Sequence, residues 1–160
     1  MANHSYLTIN GKKMGLISAG CSTHDSIGNK CQVGHTDQIL VLALAHEMTT
    51  VSNVSSAVHS PLLIHKHLDK SSPLLAQAMA DREELSCEID LYRTANGTQQ
   101  KYYTLKLLGA RIVGLSLDIP DVLVFNDAAP TEQVMLRYEQ ITWTHHIAST
   151  DGYAFWGLDE

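Results

Sequence analysis

Residues 63–79, LIHKHLDKSSPLLAQAM, admit two opposed readings. His65 and His67 lie two apart, and side chains two apart in extended chain point the same way. With Asp69 beside them they outline a metal site and a hydrolase built on it. The spacing supplies no third ligand, since the chain is turning by Asp69. Ser72-Pro73 is instead a helix start: a serine oxygen accepts from a first-turn N–H, and proline at the first helical position loses no hydrogen bond. Leu74, Leu75, Ala78 and Met79 then share one side of a helix expected over about 73–82. Such a helix is too short to stand alone and must pack on a sheet. The segment therefore reads as a strand turning into a capped helix, with His65 and His67 as surface or interface residues.

Around it the pattern has period two. Tyr6, Leu7 and Ile9 form a strand ending at the turn pair Asn10-Gly11, and residues 14–20 return. Residues 21–37 are polar and read as loop, with Cys21 and Cys31 open to solvent. Residues 38–45, QILVLALA, are apolar at every second and every other position, so a strand buried on both faces is expected. Residues 48–58 carry no charge and read as a long exposed loop. Cys87, Ile89 and Leu91 alternate with Glu88 and Asp90, and Asn96-Gly97 marks a hairpin. The return strand puts Tyr103, Leu105 and Leu107 inward, and a further strand covers 112–119 past Gly109. In the last strand Val134, Leu136 and Tyr138 share one parity while Ile141 and Trp143 share the other. A bulge near Glu139-Gln140, or a second packed face, accounts for the change. Many hairpin-spaced strands with one helix give a mainly-β sandwich or barrel. No linker or repeat divides residues 1–160, so one domain is expected.

Composition narrows the function. The chain has 160 residues, 44% of them apolar, and a formal net charge of −6, which disfavours a binder of nucleic-acid phosphates. No apolar run is long enough to span a membrane, and the amino terminus lacks a signal-peptide pattern, so folding in the cytoplasm is expected. Three cysteines without C-x-x-C spacing read as reduced thiols. There is no G-x-S-x-G, H-E-x-x-H or phosphate-binding glycine motif, and His145-His146 face opposite ways. No catalytic residue, cofactor or metal is expected, and the chain is read as no enzyme.

Several pieces together resemble one family. SYLTINGKKMGLISAG (5–20), VGHTDQILVLALAHEMT (33–49), LIHKHLDKSSPLLAQAM (63–79) and YEQITWTHHI (138–147) are similar, in that order, to the haemolysin-coregulated protein (Hcp) family. LDKSSPLL is the most specific of them. The resemblance implies a compact β-barrel of two sheets with one flanking helix, like phage tail-tube proteins. It also implies a homo-hexamer whose stacked rings form the tube of the bacterial type VI secretion system. The implied partners are a spike protein at the tip, a contractile sheath and effector proteins held in the lumen, with secretion that needs no signal peptide. The family's extended loop falls on Thr49, Thr50, Val51, Ser52, Asn53, Val54, Ser55, Ser56, Ala57 and Val58, the expected contacts between subunits or rings. The polar segment 23–36 is a second expected contact. Family members often carry basic and glycine residues in the extended loop, whereas this one is uncharged. Residues 148–160 read as a variable tail, and with the chain ending there no toxin domain is expected. Two other readings compete: the hydrolase on His65, His67 and Asp69, and a β-sandwich that binds a small ligand through Tyr153, Phe155 and Trp156.

Overall fold

The computed structural model describes residues 3–30, 34–50 and 57–156. Its elements in chain order are β1 (Ser5–Gly11), β2 (Gly15–Leu16), α1 (His24–Ile27), β3 (Ile39–Ala45), β4 (Met48–Thr49), β5 (Val58–His59) and β6 (Leu62–His67). Then come α2 (Ser72–Ala80), β7 (Leu85–Ala95), β8 (Thr98–Asp118), β9 (Thr131–Arg137), β10 (Gln140–His145) and β11 (Thr150–Phe155). The fold is mainly β with α2 on its flank, as expected. Strands β8, β7, β1, β3, β6 and β9 follow one another by hydrogen bonding, and β9 pairs back onto β8. The ring of strands is thereby closed, which leaves few free edges. Strands β10 and β11 extend the sheet from the other end of β8.

Closure depends on the length of β8. Its first half pairs with β7 and β10, and its second half pairs with β9. The inward side chains change parity along it, from Leu105 and Leu107 to Ala110 and Ile112. Gly109, at φ 62°, makes the change without breaking the strand. Its partner changes opposite it, from Val134, Leu136 and Tyr138 to Ile141. The expected parity switch is therefore real, but it is not a bulge inside one strand. Tyr138 and Glu139 separate β9 from β10, while Glu139 N–H still donates to the Leu108 carbonyl at 3.0 Å. The strand expected separately over 112–119 is continuous with the one before it.

The core is built from the expected alternation: Leu7, Ile9, Ile39, Leu62, Ile64, Ile89, Leu107, Val134, Leu136 and Ile141 are buried. The Asn96-Gly97 hairpin is present, with φ of 52° and 78° at its two turn residues. Several expectations need correction. β1 runs through Asn10-Gly11, and the chain reverses at residues 12–14, where the Glu83 carboxylate accepts from the Met14 N–H at 2.9 Å. Residues 21–37 contain α1 and a 3-10 turn over Gly28–Lys30, and Cys21 is buried. β3 buries only Ile39 and Val41, because its register with β6 slips between Val41 and Ala43 and Leu42 faces solvent. Asp90 and Thr104, expected outward, are a buried cross-strand pair joined by a 2.8 Å hydrogen bond.

Helix α2 starts at Ser72, one residue before its expected start, and ends two residues early, with Arg82 beyond it at φ 53°. Leu75 and Ala78 are buried and Leu74 is exposed, so the apolar side is narrower than its sequence suggests. Burial of Leu75 contributes roughly 2 kcal/mol. Ser72 is not the cap. The N-cap is Ser71, which makes no side-chain capping bond, and the Ser72 hydroxyl is engaged elsewhere.

Candidate functional site

The segment expected as an extended loop begins and ends in a short ladder. β4 and β5 pair Met48 with His59 and Thr49 with Val58, and Ser60 N–H donates to the Glu47 carbonyl at 3.1 Å. Thr49 and Val58 therefore face each other across an exposed stem, followed by Thr50 and Ala57. Val51, Ser52, Asn53, Val54, Ser55 and Ser56 lie outside the described residues.

A cluster at the foot of this stem ties it to the barrel. Tyr138 is buried just after β9, and its hydroxyl meets His59 Nδ1 at 2.6 Å and His46 Nε2 at 3.1 Å. One hydroxyl satisfies two neutral imidazoles by donating to one and accepting from the other. Trp156 covers the group, stacked on His59 at 5.6 Å and edge-on to Tyr138 at 4.9 Å, with the Arg137 guanidinium 5.1 Å over its ring. Burial pushes the Tyr138 hydroxyl up to about 12 and lowers both histidines, His46 also through His59. Sequence reasoning missed this anchor. Its one signal was a histidine on either side of an uncharged segment.

The conspicuous segment 63–79 is organised by Lys66, not by the histidines beside it. Lys66 continues the inward parity of Leu62 and Ile64 and is fully buried. Its ammonium pairs with Glu132, its direct partner across the β6–β9 ladder, and with Asp69 at 3.1 Å. It also donates to the His67 carbonyl at 3.0 Å and the Ser72 hydroxyl at 3.3 Å. Ser72 in turn donates to Glu132 at 2.7 Å and accepts from the Asp69 N–H at 3.0 Å. The Asp69 carboxylate also holds the Ser71 N–H at 2.9 Å. The LDKSS turn thus wraps a buried charge in its counter-ions and fixes where α2 begins.

These placements do not support the metal reading. Asp69 turns inward to Lys66, while His65 and His67 alternate with the buried side chains of β6. Among the described residues no group of three or more metal-ligating side chains comes together. His67 Nδ1 is buried with no hydrogen-bond partner, and burial followed by the charge of Lys30 lowers this histidine. The three aromatics of the ligand-binding reading do not act as one group: Trp156 packs in the anchor, while Tyr153 and Phe155 are exposed. No activated nucleophile is apparent at the polar pair: the Thr104 hydroxyl donates to Asp90 and meets His146 Nε2 at 2.7 Å. Burial raises the Cys21 thiol to about 11, with Asp69 adding to it, and the Cys87 thiol to about 12, so both stay protonated at neutral pH.

Comparison with known proteins gives the family. Residues 6–145 match the family described as "Type VI secretion system effector, Hcp". The chain belongs to the Hcp family. It is 42% identical to the "Major exported protein" of Pseudomonas aeruginosa over 98% of its own length and 96% of that protein's. A solved Hcp structure superposes with a TM-score of 0.93 at 32% identity, covering 99% of this chain and all of the other. The secreted protein Hcp3 from Pseudomonas aeruginosa does so with a TM-score of 0.87 at 40% identity, over 98% and 100% of the two chains. The Hcp family match ends at His145, the last residue of β10, so β11 and Trp156 lie beyond it while the Hcp structures cover nearly the whole chain.

Proposed function

We propose that this Hcp protein is a structural, non-enzymatic subunit of the type VI secretion tube. Six copies close into a ring, rings stack into a tube inside a contractile sheath and behind a spike, and the lumen holds effector proteins. Assembly takes place in the cytoplasm and export follows through the apparatus itself. The observation that carries this reading is the near-complete overlap with Hcp structures in both fold and length. The exported relative from Pseudomonas aeruginosa supports export. Apolar side chains left in solvent on the barrel, Leu42, Val113, Leu117 and Met135 among them, suit a subunit that completes its burial against neighbours. Residues 49–58 are proposed to reach a neighbouring subunit or ring from the stem that Tyr138 anchors. Light scattering and negative-stain imaging of the pure protein test the reading. Closed rings of six are expected, and a monomer at every concentration overturns it. A bulky charge at Val54 is expected to impair ring closure or stacking, which normal tubes from that variant would refute.

A further inference from the structure

Two surfaces of the barrel have opposite character. Between β8 and β9 the chain reads DIPDVLVFND over residues 118–127. Its apolar side chains stand in solvent, Leu123 at 92% exposure and Phe125 at 59%. They are held there by an ordered turn. The Asp121 carboxylate accepts from the Leu123 N–H at 2.8 Å, and its carbonyl accepts from the Phe125 N–H at 2.7 Å. Asp118, Asp121 and Asp127 flank the apolar residues, and none of them makes an ion pair among the described residues.

The second surface is a groove of about 1100 Å³ where β8 changes parity, opening between the end of α2 and the end of β11. Its apolar wall includes Val113, Phe155 and Trp156, and its charge comes from Arg82, Arg111 and Arg137, offset by Glu139. Arg111 reaches Glu84 only at 3.9 Å in an exposed pair, which is worth little and is readily exchanged for another carboxylate. From Val113 to Asp118 the strand carries the chain roughly 17 Å away from this groove, so loop and groove are separate patches.

Resting on the ring reading above, we infer that the apolar turn at residues 119–125 of one subunit docks into the arginine-rimmed groove of the next copy of the same chain. An apolar knob with three carboxylates meets an apolar hollow with three arginines and one glutamate, so apolar character and net charge select the same partner. Because the two patches differ and lie apart, the contact is heterologous, the kind that forms a ring when its repeated rotation returns to the first copy. The knob supplies the desolvated centre of the joint, where a few anchors dominate, and the aspartates and arginines form its rim.

The test uses one variant on each side, Leu123→Asp in the knob and Arg111→Glu with Phe155→Asp in the groove, all at exposed positions. Light scattering and negative-stain imaging are expected to show rings for the wild type and their loss in each variant, with unchanged circular dichroism. Mixed together, the two variants should form a dimer and nothing larger, because only one intact knob meets an intact groove. Rings that persist in Leu123→Asp, or a mixture that stays monomeric up to millimolar concentration, overturn the inference while leaving the ring reading in place. A wild type that is monomeric throughout overturns both. Should Leu123→Asp disturb the circular dichroism, Val122→Asp replaces it under the same expectations.

Discussion

Lys66 is fully buried, and the carboxylates of Glu132 and Asp69 converge on its side-chain nitrogen. A buried ion pair of this kind contributes less to stability than its geometry suggests, since desolvation of both charges opposes the attraction. Loss of one partner is a different matter, because the other is left uncompensated. Lys66→Met is expected to destabilise the protein by about 3–5 kcal/mol in denaturant unfolding, and Glu132→Gln added to it should recover part of the loss. A Lys66→Met variant as stable as the wild type would show that the carboxylates find water. Strand parity already pointed Lys66 inward behind Leu62 and Ile64, but a lysine is read as outward unless its partner is visible. That partner is 66 residues away, and only the β6–β9 pairing brings it opposite. The same distance hid the second role of Ser72, whose hydroxyl serves Glu132 and Asp69 instead of capping α2.

At the level of elements, β8 and the stem of the extended loop depend on single positions. Gly109 holds a left-handed conformation, and a Cβ there would stand 2.6 Å from Glu139 Oε2. Gly109→Ala is expected to cost about 1–2 kcal/mol from the backbone alone, read as a lower midpoint in urea. Unchanged stability would mean that the strand passes this point some other way. The stem is pH-sensitive in a fixed direction. Folding lowers His46 and His59, so the unfolded chain binds more protons than the folded one just below the ordinary histidine value of about 6.5. Stability is therefore full above that value and lost as the pH falls beneath it. The melting temperature of the wild type should fall between about pH 7 and pH 5, and His46→Gln with His59→Gln should flatten that fall. His67, lowered chiefly by burial, keeps part of the slope. An equal slope in both proteins would separate the anchor from the pH response. The strands themselves, the Asn96-Gly97 hairpin and the change of parity before Ile141 were legible, because each is written in residues close together in the chain. The Tyr138 anchor was not, since His46, which follows β3, and His59 in β5 are far from it in the chain and meet it only across the fold.

For the whole molecule, the proposed assembly has a thermodynamic signature. A subunit stabilised by its neighbours unfolds at a temperature that rises with protein concentration, whereas a monomer does not. The melting temperature of the wild type should rise over a hundredfold increase in concentration, and that of Leu123→Asp should stay constant. The same result in both proteins would place the subunit contact elsewhere. Mainly-β class, the helix site, the lack of catalytic motifs and the family resemblance all followed from the sequence. They rest on local periodicity, turn chemistry and ordered motifs, which need no knowledge of distant partners. Closure of the sheet through β8, the burial of Lys66 and the juxtaposition of His46, His59 and Tyr138 did not follow. Nor did the separation of an acidic apolar turn from an arginine-rimmed groove. Those features arise where residues far apart in the chain share one dielectric environment and one set of hydrogen bonds, and only the folded chain decides which ones meet.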